Sequence, residues 1–123
     1  MKLHLAGTAG LNIFTEYGED FVSVNGERHT GSLVVLRDRL LTPWGPASFA
    51  EINAAHLASI VPLGCEIVLL GTGRLQRFPP PAVTRPLIEA GIGVEIMSTQ
   101  AACRTYNILA AEDRKVAAAL VLR

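Results

Sequence analysis

The side chains best spaced for chemistry fall in one stretch, Ser98-Thr99-Gln100-Ala101-Ala102-Cys103-Arg104-Thr105-Tyr106-Asn107. Ser98 and Thr99 stand where a helix N-cap is wanted; hydroxyls there satisfy backbone N–H groups that a helix leaves open, while the remaining N–H groups and the helix dipole favour an anion. Arg104 is the residue type that clamps a carboxylate or phosphate through paired hydrogen bonds. Cys103, near the same helix end, is placed for the dipole to lower its thiol pKa. No His lies nearby in sequence to act as its base, so a buried inert thiol is the competing reading. Gln100, Arg104 and Asn107 fall within about a quarter turn of one another on a helix and form a polar line facing away from the sheet-packing side.

Gly71-Thr72-Gly73 is the second candidate, because glycines let backbone approach a ligand. Neither the GxGxxG nor the GxxxxGK spacing is present, so the plain alternative is that these glycines only turn the chain and that Ser98 or Thr99 only caps a helix. Trp44, set between Pro43 and Gly45-Pro46, is placed to wall a pocket, dock a partner or pack in the core. His4, His29 and His56 share no ligand spacing, and His56 reads as a structural histidine. Cys65 and Cys103 lie outside any CxxC or zinc pattern, which points to a reducing cytoplasm without a disulfide or metal. Glu16, Glu19, Asp20, Glu51 and Glu95 are too dispersed to form an acid–base pair by local spacing. The residues favour binding over catalysis, with no cofactor, and the ligand is a small anion or another protein.

These groups need a scaffold that brings the loops after Leu70 and Met97 together. Ile67-Val68-Leu69-Leu70 and Val94-Glu95-Ile96-Met97 are short apolar runs of the kind buried in parallel sheets. The pattern predicts strands over Glu66–Leu70, Gly93–Met97 and Val116–Leu122, central and parallel, with helices over about Ala82 to Ala90 and Gln100 to Glu112. Gly91 is the C′ residue of the first of these helices. Ser48-Phe49-Ala50-Glu51 has the capping-box form and predicts a helix starting there, with Phe49, Ile52, Leu57 and Ile60 on its buried side. The first half reads as an antiparallel meander: strands from Leu11 to Tyr17, Phe21 to Val24, around Glu27 to Thr30 and over Ser32–Leu36, a short one at Leu40-Leu41, and a type I′ turn at Asn25-Gly26. Leu3 and Leu5 alternate with polar neighbours and suit a short edge strand in a poorly ordered lead-in.

The 123 residues make one domain, 1–123, with half of them hydrophobic. Eleven Lys plus Arg balance eleven Asp plus Glu, which argues against a nucleic-acid partner. No apolar run reaches the roughly 20 residues of a membrane span, and the polar breaks before Phe14 do not suit a signal peptide. Nothing in the pattern specifies an oligomeric state.

The runs Glu66-Ile67-Val68-Leu69-Leu70-Gly71-Thr72-Gly73, Gly91-Ile92-Gly93-Val94-Glu95-Ile96-Met97 and Thr99 through Asn107 resemble the Mth938-like domain family. The resemblance extends from the Asn12 strand through Trp44 to the last strand, and the AACRTYN stretch is its most specific part. It implies a three-layer α/β fold: a mixed central sheet with parallel C-terminal strands, flanking helices and an N-terminal antiparallel β part. The family has no established enzyme activity, and its relatives include a mitochondrial assembly factor of respiratory complex I and an adipogenesis-associated protein. The resemblance therefore implies an assembly-factor-like binding module, the alternative being an enzyme or sensor at the Gly71/Ser98 rim. Ser98 departs from the acidic residue frequent there in relatives.

Overall fold

The computed structural model describes residues 10–123. The expectations for Leu3, Leu5, His4 and the leading segment lie outside the described residues. The chain runs β1 (Phe14–Tyr17), β2 (Val22–Val24), β3 (Glu27–His29), β4 (Leu33–Leu36), β5 (Leu40–Leu41), α1 (Ala54–Ala58), β6 (Ile67–Thr72), α2 (Pro81–Glu89), β7 (Gly93–Met97), α3 (Thr99–Ala111) and β8 (Val116–Val121). β1, β2 and β3 form an antiparallel sheet, and five strands form a mixed sheet in the order β5-β4-β8-β6-β7. β6 is parallel to both β7 and β8, while β4 joins β8 antiparallel.

Three layers follow from strand alternation. Val116, Ala118 and Leu120 of β8 point into a core shared with Tyr106 of α3 and Phe14 of β1. Ala117, Ala119 and Val121 point into the opposite core, with Leu57 of α1 and Leu87 of α2. The Ala117-Ala118-Ala119 run in the middle strand gives both layers small side chains to pack on. Asn25 and Gly26 take positive φ, 52° and 86°, as the hairpin between β2 and β3 requires.

Several boundaries differ from the sequence reading, each for a physical reason. The expected helix at Ser48 is a single 3-10 turn, Phe49–Glu51, in which Ser48 makes no side-chain cap. The Phe49 N–H is already given to the Arg123 carbonyl at 2.8 Å, and the chain extends at Ile52 to bury that side chain. The helix restarts at Asn53, whose Oδ1 accepts from the His56 N–H while His56 Nδ1 accepts from the Asn53 N–H. The capping box is real but five residues later, and His56 is structural. β6 continues through Gly71, which pairs with both β7 and β8, and Thr72, which pairs with β8. β7 is at the edge of the sheet instead of at its centre: the chain passes from β6 to β7 through α2, then back across β6 to β8 through α3.

Candidate functional site

The two crossovers leave on opposite faces, α2 packing in one core and α3 in the other. Diverging connections from adjacent parallel strands open the crevice where α/β sheets bind ligands, here between the loops after β6 and β7. The structure thus brings Gly71, Thr72, Gly73, Ser98 and Thr99 to one rim. In this chain the crevice is filled by the protein's own hydrogen bonds. Thr99 Oγ1 donates to the Val121 carbonyl at 2.6 Å and accepts from the Gly73 N–H at 2.8 Å, and the Thr99 N–H donates to the Gly73 carbonyl. A Cβ at Gly71 would stand 2.6 Å from Leu120 Cδ2 and 3.0 Å from Thr99 Cα, so glycine there serves close packing. Ser98 Oγ accepts from the Ala101 N–H, so this part of the α3 start is engaged internally.

What the rim positions is the loop from Gly73 to Pro80. Thr72 Oγ1 lies 2.6 Å from the Leu75 carbonyl and accepts from the Arg77 N–H, while Arg77 Nη2 donates to the Thr72 carbonyl. The Arg77 guanidinium sits 4.6 Å over the Phe49 ring, and Gln76 Nε2 donates to the Ile96 carbonyl of β7. With these anchors holding it, the loop turns Leu75 and Phe78 into solvent, 70% and 69% exposed. Sequence reading passed over both residues. Two large apolar side chains between arginines and a proline run were the available signal.

The polar line on α3 has a different role from the one expected. It faces away from the five-stranded sheet and bonds to the small sheet and its following turn, which bury Asn107 but leave Arg104 exposed. Gln100 Nε2 donates to the Gly18 carbonyl, Arg104 Nη1 donates to the Tyr17 hydroxyl, and Asn107 bonds both backbone groups of Phe14: Oδ1 accepts its N–H at 2.9 Å and Nδ2 donates to its carbonyl at 2.8 Å. Asn107 is 2% exposed, a seam residue that takes the place of a strand neighbour. Cys103 is fully buried, and desolvation pushes its thiol up to about 12, outweighing the lowering by Arg104. That agrees with the reading of a buried, inert thiol and goes against acidification by the helix dipole. Cys65 is likewise raised by burial, and the two cysteines are unbonded. Trp44 is not among the rim's hydrogen-bonded residues, but it reaches the rim's margin through Arg123, which lies against Gly73. It is buried against His56 and walls a separate concavity of about 350 Å³ with Leu122 and Arg123. Among the described residues, no three His, Cys, Asp or Glu side chains are grouped to hold a metal, and no helix is long and apolar enough to cross a membrane.

A family model described as "Protein of unknown function (DUF498/DUF598)" matches residues 14–121, from the first residue of β1 to the last of β8. The chain belongs to the DUF498/DUF598 family. The chain is similar to a solution structure from Bordetella pertussis described as a Mth938-like domain, 35% identical, with a TM-score of 0.80 over 98% of this chain and 92% of that one. Among curated relatives, a "13 kDa major membrane protein" of Francisella tularensis is 37% identical over 58% of this chain. The NADH dehydrogenase (ubiquinone) 1 alpha subcomplex assembly factor 3 of Xenopus tropicalis is 32% identical over 85% of this chain. The chain spans 58% of the length of each of these two relatives. The Mth938-like resemblance read from the sequence agrees with these findings, and so does the three-layer fold.

Proposed function

We propose that the chain is a cytoplasmic, non-enzymatic protein-binding module of the assembly-factor kind, whose partner docks on the rim formed by the loop after β6 and the start of α3. One observation carries the reading: Leu75 and Phe78 are held in water on a loop that is hydrogen-bonded in place. Fixed exposed apolar side chains are the usual anchors of an interface, and a pre-ordered loop loses little entropy on binding. Gly71, Thr72, Gly73, Ser98 and Thr99 build the platform, with Arg104 and the Trp44 concavity at its margins. The relative named as a complex I assembly factor supports a respiratory-complex client. A protein is favoured over a small anion because the rim's hydroxyls already bond the chain's own backbone.

The test is capture of partners from the native host on the tagged full chain, comparing wild type with Leu75→Asp/Phe78→Asp. The double variant should lose the captured protein while its melting temperature stays within about 2 °C, as expected for exposed positions. Retained capture by that variant refutes the docking surface. Turnover of a metabolite that depends on Cys103 or Arg104 refutes the non-enzymatic reading. Arg104→Ala separates the margin from the seam, since reduced stability with unchanged capture leaves it only the Tyr17 contact.

A further inference from the structure

At the opposite end of the large sheet, where β4 ends and β8 begins, lies a concavity of about 480 Å³. We propose that it binds an amphiphilic monocarboxylate, a single carboxylate head on an apolar body of several carbons. Leu36, Leu63 and Val116 line it with apolar surface, and Arg37, Arg39 and Lys115 line it with cations. An apolar hollow with a few convergent charges is the general form of a small-molecule site, and this volume is in the usual range.

The charge balance selects the head group. Arg39 Nε lies 3.5 Å from Asp38 Oδ1, and the same guanidinium donates to the Leu63 carbonyl. Arg37 Nη2 pairs with Asp113 Oδ1 at 2.6 Å, while its Nε is buried with no acceptor. No carboxylate among the described residues is within ion-pair distance of the Lys115 side chain. Glu66, which also feels the Lys115 charge, is paired with Arg114 at 3.0 Å, so four cations face three carboxylates, an excess of one positive charge, which one carboxylate neutralises and a dianionic phosphate would overshoot. Asp38 and Asp113 are 79% and 87% exposed, so their pairs are water-screened and yield readily to a ligand that brings apolar burial with its charge. The walls are fixed: the β4–β5 turn is closed by the Leu36 N–H to the Arg39 carbonyl, and Gly64 ends the Val61–Leu63 turn at φ 84°. The site is remote from the rim loop and does not depend on the docking proposal.

The experiment titrates the full chain with octanoate and follows backbone amide shifts, with acetate, 1-octanol and octyl phosphate as comparison probes. Saturable shifts should centre on Leu36, Arg39, Gly64 and Lys115, with acetate and octanol at least about tenfold weaker because each lacks half of the recognition. Arg39→Gln/Lys115→Gln should weaken octanoate about tenfold or more with unchanged amide dispersion, whereas Leu75→Asp/Phe78→Asp should leave its affinity unchanged. Shifts centred on Leu75 and Phe78, equal affinity for octanol, tighter binding of octyl phosphate, or no saturation by about 10 mM octanoate would each overturn the proposal.

Discussion

Replacing Asn107 by Ala tests how the two sheets are joined. The side chain makes two buried hydrogen bonds, to the N–H and carbonyl of Phe14, a residue with no exposed surface. Truncation strands both backbone groups where water does not replace them; at about 1–3 kcal/mol for each, the loss is about 2–6 kcal/mol. A chain of this size is stable by only about 5–15 kcal/mol, so the lower end already matters. The melting temperature should fall by roughly 10 °C or more. Urea unfolding followed by circular dichroism reads the change in midpoint at constant slope. Asn107→Asp adds a second readout. Its carboxylate still accepts the Phe14 N–H but turns a second oxygen toward the Phe14 carbonyl, so at neutral pH it should be no more stable than the alanine variant. Stability should return as pH falls and the buried acid protonates, because a protonated oxygen donates as Nδ2 does. The reasoning fails if Asn107→Ala lies within about 1 kcal/mol of wild type, or if Asn107→Asp shows no recovery in acid.

Two further outcomes follow from the same packing. Gly71→Ala should cost about 1–3 kcal/mol, since the new methyl meets Leu120 and the Thr99 backbone, whereas Gly31→Ala, with open space around it, should be near neutral; thermal melts of the pair check this. Above pH 9 the chain should lose stability, because burial holds the Cys103 thiol near 12 against an ordinary 9.0 and raises the Tyr106 hydroxyl as well. The unfolded chain then releases protons that the folded chain retains, so the contribution is intact below pH 9 and drains away as pH rises toward about 12, on the order of 2 kcal/mol from Cys103 by about pH 10.5. Urea midpoints at about pH 8 and 10.5 measure the slope, which Cys103→Ala should flatten.

Much of the scaffold was legible because its signals are local. The Asn25-Gly26 turn, the Ser98 cap and the three parallel strands are each specified by neighbours within a few positions. The partly exposed face of β7 was also written there, although its edge position was not: in Gly93-Val94-Glu95-Ile96-Met97, Val94 and Ile96 pack on the core while Gly93 and Glu95 are exposed, the alternation of a strand with one wet side. The partners of α3 were not legible. Asn107 meets Phe14 from 93 positions away, and no helical spacing distinguishes a polar line facing water from one facing a second sheet. The cation-lined hollow escaped for the same reason, since Arg39 and Lys115 are neighbours only after folding.

The hydrogen bond from Gln76 to Ile96 also protects this protein from its own copies. Gly93 bonds toward β6, so Val94 and Ile96 direct their backbone groups outward, along a margin where a stray strand could template itself. Gln76 occupies one of those carbonyls, and it belongs to the same loop that presents Leu75 and Phe78. Because one side chain does both, anchoring the loop and closing this part of the margin are a single act: a Gln76 substitution that freed the loop would also open the Ile96 carbonyl to a stray strand.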